Sequence, residues 1–573
     1  MSSLIDSVRT LDVQGLANNA SELRHHASIL LKQNSSLILL GLALPAWCLL
    51  RFLLTYGSRG ANYPPGPPTL PILGNLLEFP RKYPQYKFGE WARQYGDVIS
   101  VKVLNQTIIV LHTPTLVREL FDKRAISNSN RPASSVVEVI TPGELNVGTA
   151  HYAGEEWKVM RKASASLLSK ESLRKFSDIQ HAEVTQMMID LVHDPDDWYM
   201  HIQRFTSSFT LALVYGKRSP RSTSPDITDF LHVHRRFMAA LEFGTAPPAD
   251  VIPILRYVPA MFAKWKREGI EIRNLQHKLY DRLVDDVQGR LDKGLGNGAF
   301  MEDAILHAKE WGMKNKDYLA NLGGTLLEGS DTTSASTQYI ILCAAAFPEK
   351  QQKVAEELER VVGRHRVPRF EDMPNLPYTR AFAEECSRFL PVANLGLPHE
   401  MNRDEVIDGV FYPKGAIVFM NTWFMFHDER YFDKPSEFMP ERFLLHPLGV
   451  KPGIKDDPYR RENMLFGGGR RVCPGTTMAR SNLDIIAAYT IWGFHIKPAL
   501  DPLTGKEVPV DITRFEPGIT ATPLPFPCRF VARSKEHVEV LQQEFQRAAD
   551  VMRPYELELC EEDRIYNAKY RDN

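Results

Sequence analysis

Ten consecutive residues, Phe466-Gly467-Gly468-Gly469-Arg470-Arg471-Val472-Cys473-Pro474-Gly475, restrict this chain more than any other stretch of it. The three glycines let the backbone turn sharply and approach a flat surface without side-chain clashes. Arg471 carries a planar, permanently charged guanidinium whose fork suits a carboxylate. Cys473 carries a sulfur that becomes a metal ligand once it is deprotonated. A single cysteine among glycines is ordinarily a buried thiol in a loop. Here phenylalanine, glycine, arginine, cysteine and glycine fall together within ten residues, and the combination points to a loop built around its sulfur.

The chain has 573 residues, 43% of them hydrophobic, enough for one large domain or two or three ordinary ones. A formal net charge of -1 gives no reason to expect a nucleic-acid partner. The six cysteines (48, 343, 386, 473, 528 and 560) show no paired spacing, which argues against zinc and against a disulfide framework. A reducing compartment follows for the main domain.

Five segments are expected: an N-terminal extension over 1–34, a transmembrane anchor over 35–56, a proline-rich linker over 57–68, a catalytic domain over 69–535 and a charged extension over 536–573. Residues 37–54 are apolar apart from Arg51, and as a helix they span about 27 Å, close to a bilayer's hydrocarbon thickness. Asn19-Ala20-Ser21 is a glycosylation sequon, usable if that end faces a lumen. Tyr63-Pro64-Pro65-Gly66-Pro67-Pro68 cannot be helical and makes a stiff spacer. Residues 98–103 and 107–111 read as strands, 171–192 and 268–291 as helices, and strand-and-turn signals return after 395. The fold expected is mainly α with a smaller β-rich portion drawn from both ends. Val538, Leu541, Phe545, Ala548 and Met552 recur at helical spacing before Pro554, marking one amphipathic helix that packs back on the domain or takes a partner helix.

Four other segments carry chemistry. Trp157 and Arg161 lie one turn apart, which puts an indole N–H and a guanidinium on one helical face. Glu385 and Arg388, spaced i and i+3, share a face ahead of Pro440-Glu441-Arg442-Phe443. His399 precedes the later strands. Gly329-Ser330-Asp331-Thr332-Thr333 lies within a long apolar helix predicted over 317–345, and serine and threonine are poor mid-helix residues that need a reason there.

In this order the segments resemble the cytochrome P-450 family, whose cysteine loop reads F-x-x-G-x-R-x-C-x-G. The likeness covers about residues 64–535 and is similar to microsomal fungal members of the O-methylsterigmatocystin oxidoreductase-like kind. It implies the cytochrome P-450 fold behind an N-terminal transmembrane helix, and haem b with Cys473 as axial thiolate, a ligand that favours O–O cleavage. Trp157, Arg161, His399 and Arg471 then contact haem propionates, with Phe466 and Gly475 completing the cofactor loop. Asp331 and Thr332 are implied to deliver protons during oxygen activation. Glu385, Arg388 and Arg442 are implied to lock one helix to the loop before Cys473. Glu328 stands where the family has Ala or Gly. It either joins the proton relay or anchors a polar substrate group, unless it turns aside into an ion pair.

The implied activity is monooxygenation of a lipophilic small molecule in fungal secondary metabolism. There is no flavin or dinucleotide unit, so NADPH and flavins act only through a partner reductase, with cytochrome b5 as an optional second donor. Arg161, Lys162 and Arg470 are expected on its docking face. The implied location is the endoplasmic reticulum membrane, single-pass, with the catalytic domain cytoplasmic. Substrate-facing stretches are expected at 135–147, 392–397 and 518–520, with a lid-like loop at 243–248. Two other readings fit the cysteine loop: a haem-thiolate isomerase or dehydratase that needs no reductase, disfavoured by Asp331 and Thr332, and a non-catalytic haem or sterol binder.

Overall fold

Apolar residues recur at helical spacing over most of the chain, and helices accordingly dominate the computed structural model, with three small sheets beside them. The structure describes residues 35–242, 245, 247–454 and 464–571, with side chains from residue 43 onward. Asn19 and part of the expected lid at 243–248 therefore lie outside the described residues.

The described chain forms two compact units. One comprises the first helix, α1 (Ser35–Thr55), with residues up to 60 and segments 68–77 and 102–105. Within it the Ile72 N–H donates to the Tyr56 carbonyl, 2.7 Å, and Leu70 and Val103 each bridge Gly74. The transmembrane anchor expected over 35–56 is not found as such. Among the described residues no helix is long and apolar enough to cross a membrane. The helix is present, but its apolar residues 35–42 lie outside the described side chains, and Arg51 interrupts the remainder.

The second unit holds everything else. Its largest sheet runs in the order β1 (Val98–Val103), β2 (Gln106–Leu111), β6 (Ile417–Met420), β3 (His399–Glu400). β2 and β6 are parallel, while β3 runs antiparallel to β6 and sets His399 opposite Val418. β4 (Glu405–Ile407) pairs with β5 (Val410–Tyr412), and β7 (Phe494–Pro498) with β8 (Cys528–Ala532). Residues from both ends of the sequence thus meet in the β-rich portion.

The helical part is built from α2 (Glu155–Leu167), α3 (Ser177–His193), α4 (Trp198–Tyr215), α5 (Pro225–Leu241), α6 (Lys264–Asp292), α7 (Lys316–Glu328), α8 (Ser330–Ala346), α9 (Pro377–Phe389) and α10 (Thr476–Gly493). Met187, Met188, Phe205, Leu211, Ile340, Ile341, Ile486 and Tyr489 form its centre, where α3, α4, α8 and α10 meet. The helix predicted over 171–192 breaks before α3 because Phe176 turns into this core, edge-on to Phe300 at 5.2 Å. The helix predicted over 317–345 is two, α7 and α8, joined at Gly329. The tail contributes α11 (Lys535–Arg547), with Leu541 and Phe545 in the core, and α12 (Glu561–Tyr570).

Candidate functional site

The glycine-rich loop runs into the N-terminus of α10. The Cys473 N–H donates to the Phe466 carbonyl, 2.9 Å, closing the turn. Gly469 has φ +62°, and a Cβ there would overlap the Phe121 carbonyl. The Gly469 N–H donates to the Asp122 carboxylate, 2.7 Å. This glycine is therefore required by the neighbouring 118–123 helical turn, a constraint separate from any approach to a flat ligand. Gly475, the residue before α10, lies against the sulfur: a Cβ added to it would sit 3.7 Å from Sγ. Phe466 packs beside Ala335 of α8 and Val392.

Cys473 is exposed by area, yet loop atoms, Arg161 and Thr476 enclose it on its other sides. That burial pushes the thiol pKa up, while the Gly475 N–H, the Arg161 charge and the Thr476 hydroxyl pull the other way. A helix N-terminus is a favourable place for a thiolate.

Three guanidinium groups gather behind the loop. Arg471 donates to the carbonyls of Ser129 (2.8 Å), Val147 (3.2 Å) and Ala150 (2.5 Å). Arg131 donates to Gly148 (2.9 Å), Leu397 (2.9 Å) and Pro398 (2.6 Å), and Arg161 to Val472 (2.5 Å). Among the described residues none of the three lies within ion-pair distance of a carboxylate. Burial, then repulsion by Arg131 and Arg161, pushes the Arg471 pKa down to about 8; burial and Arg161 bring Arg131 to about 9. Arg471 stacks on Trp157, 4.4 Å to the ring centre, and the buried Trp157 Nε1 has no hydrogen-bond partner. Clustered buried cations beside an orphaned N–H are costly unless anions join them. The donor set fits the two carboxylates of haem above a thiolate.

Arg131 was not legible from spacing, since Ser129-Asn130-Arg131-Pro132 bears no periodic relation to the other motifs. His399 of β3 lies beside Arg131 and Arg471. Its Nδ1 is 2.5 Å from the Asn128 carbonyl and so carries the proton. Burial, with Arg131 and Arg471 nearby, holds its pKa well below the usual histidine value. With Nδ1 taken by that carbonyl, Nε2 is the ring nitrogen left for a further partner. The ring also stacks on Phe121 at 3.9 Å.

At the α7–α8 junction the Thr332 hydroxyl donates to the Gly329 carbonyl, 3.2 Å. Asp331 Oδ2 lies 3.5 Å from Nε2 of His234 on α5. Glu328 accepts from the Tyr280 hydroxyl of α6 (3.0 Å) and the Asn146 side chain (3.2 Å). No lysine or arginine among the described residues is within 4 Å of Glu328, so the ion-pair alternative is not what forms. Asn146, Tyr280 and His234 had no motif to mark them.

A cavity of about 470 Å³ collects residues from all three expected substrate-facing regions. Val137, Val139, Leu241, Trp265, Leu397 and Ile519 give it apolar walls, and Arg131 and Ala150 connect it to the arginine cluster. Away from it, Arg388 grips Glu385 with two bonds, 2.7 and 2.8 Å, and Arg442 donates to the same carboxylate at 3.2 Å. All three are buried, and Glu385 also receives the Met439 N–H, 2.8 Å.

The sequence matches the Cytochrome P450 family over residues 64–521. A cytochrome P450 monooxygenase of Armillaria gallica is 38% identical over 513 residues, 89% of this chain and 96% of that protein. The cytochrome P450 monooxygenase patI of Penicillium expansum is 32% identical over 530 residues, covering 92% and 97%. That named yanC of Aspergillus niger is 33% identical over 510 residues, covering 86% and 94%. With its helical architecture and cysteine loop, the chain belongs to the cytochrome P450 family, as a fungal member and a haem-thiolate monooxygenase.

Proposed function

We propose that the chain oxidises a lipophilic small molecule of fungal secondary metabolism, using O2 and electrons from NADPH delivered by a separate flavoprotein reductase, with cytochrome b5 as an optional second donor. The observation that supports a lipophilic substrate is the 470 Å³ cavity walled by Val137, Val139, Leu241, Trp265, Leu397 and Ile519. When bound, haem supplies oxygen activation and substrate oxidation. Cys473 would ligate its iron through sulfur, Phe466 and Gly475 would shape the loop around it, and Arg131, Arg161, Arg471 and Trp157 would hold its carboxylates. His399 orders the 121–128 segment through Phe121 and Asn128. Asp331 holds a proton at its carboxylate, and the Thr332 hydroxyl passes it on.

Membrane-surface association accompanies this reading. Ile254, Tyr257, Met261 and Phe262 are each more than 70% exposed, between Arg256, Lys264 and Arg267. Exposed apolar residues ringed by cations suit an interface with anionic lipid.

The test uses purified full-length chain. A carbon monoxide difference spectrum of the reduced protein should carry the thiolate signature and lose it in Cys473→His. NADPH with added reductase should yield oxygenated product from a lipophilic extract. Product formed without reductase would instead point to the isomerase or dehydratase class.

A further inference from the structure

One group of ionisable side chains beside the site has no part in binding haem. His234 is buried on α5, stacked on Phe230 at 5.3 Å, with neither ring nitrogen hydrogen-bonded. Its Nε2 faces Asp331 Oδ2 at 3.5 Å, within ion-pair range and just beyond a good hydrogen bond. Glu328 stands one helical turn before Thr332, held by Tyr280 and Asn146. Helices α5, α6, α7 and α8 and the loop at 146 thus bring an imidazole between two carboxyl groups. A buried histidine whose ring nitrogens make no hydrogen bond costs free energy unless the ring is used.

We infer that His234 is a positioning residue that holds Asp331 toward α5 and returns a proton to it, with Glu328 as the acid behind the pair. The inference rests on the proton-delivery role proposed for Asp331. In the step, the Nε2–H bond of the imidazolium breaks and an O–H bond forms on Asp331 Oδ2. Neutral imidazole and a carboxylic acid result, and the ring regains its proton from Glu328 or from solvent.

Charges around the ring agree with this. Burial lowers the His234 pKa, but Asp331 and Glu328 outweigh it and the net direction is up, with Arg235 of the same helix opposing. Burial holds the Glu328 pKa up, against His234, Tyr280 and Asn146. Glu516 and Tyr199 are the remaining titratable groups around Asp331: its charge raises the pKa of each, after burial. Both shifts run toward the protonated form, the direction a proton reserve requires.

Two measurements on the full chain decide the matter. The first is a histidine-ring NMR titration of the resting haem-loaded protein, with the His234 signal identified by its loss in His234→Gln. Its midpoint should lie above the ordinary value of about 6.5 and fall in Asp331→Asn. A midpoint at or below that value, or one unmoved by Asp331→Asn, overturns the inference whatever the enzyme's activity. The second is product formed per NADPH, with added reductase and a lipophilic coumarin ether as probe. His234→Gln should lower this ratio by about threefold to tenfold, less than the roughly 10²–10⁴-fold of a direct proton donor because His234 acts through Asp331, and flatten the pH profile above neutrality. Probe affinity and the carbon monoxide spectrum should stay unchanged. Unchanged coupling and pH profile, or a change in probe affinity alone, would refute proton supply and favour a substrate anchor. Loss of the thiolate spectrum in the parent chain would instead sink the monooxygenase reading, leaving the titration result standing.

Discussion

At position 469 a hydrogen atom is all the structure tolerates. The backbone is left-handed there, and the Phe121 carbonyl occupies the place of a side chain. Gly469→Ala should destabilise the loop by about 1–2 kcal/mol from backbone conformation alone, with the overlap added. Its expected signature is poor haem retention on purification beside a normal far-ultraviolet circular dichroism spectrum. Trp157 offers a gentler probe. Trp157→Phe keeps a six-membered ring beneath Arg471 and removes the pyrrole half of the indole with its orphaned N–H. A hydrogen bond to a charged group contributes about 1.5–3 kcal/mol, so haem transfer to apomyoglobin should speed up by about tenfold or more. An unchanged transfer rate would remove Trp157 from the propionate site.

Helix α9 depends on one carboxylate. Glu385 neutralises Arg388 on its own helix and Arg442 beyond Pro440, and its side chain has no exposed surface. Glu385→Ala strands two buried cations and should cost about 3–5 kcal/mol, read from the denaturant midpoint. Arg388→Lys should also destabilise, because a single ammonium cannot reproduce the two-pronged contact. The same economy explains the α7–α8 junction. Ser330, Asp331, Thr332 and Thr333 are weak helix formers placed where the helix restarts, and Gly329 relieves the crowding between the two segments.

The C-terminal extension is held to the fold by charge as well as by apolar contact. Glu556 pairs with Arg218 and Arg571, Glu558 with Arg290, and Asp563 with Arg221. Deeper still, Glu183 lies between Arg204 and Arg218. Burial raises the Glu183 pKa, but Arg218 and Arg204 outweigh it and hold it below the usual carboxylate range. A carboxyl whose pKa is lower in the folded state stabilises the fold above its unfolded value, about 4.5 here, and loses that contribution as pH falls. Thermal unfolding scans should therefore show a decline below about pH 4.5 that is shallower in Glu183→Gln, at the cost of lower stability at neutral pH; Asp226 and Glu441, also held low, keep the rest of it. Deleting 536–573 should strip Glu556 from Arg218 and Glu558 from Arg290 and take Leu541 and Phe545 out of the core, giving insoluble protein.

Motifs of short range were readable from residues alone, because their chemistry lies in local spacing. The thiolate loop, the Trp157–Arg161 turn, the Glu385–Arg388 pair and the Asp331–Thr332 step all lie within a few residues along the chain. Period-two and period-3.6 patterns likewise marked the strands near 98–103 and 107–111 and the helices Ser177–His193, Lys264–Asp292 and Lys535–Arg547. Arg131, Asn146, His234 and Tyr280 could not be found that way. Each acquires its role by meeting a residue distant in sequence, and no local regularity encodes such a meeting. The break at Phe176 and the lowered pKa of His399 have the same origin. A core that accepts one ring, and an electrostatic field summed over several arginines, exist only once the helices have packed.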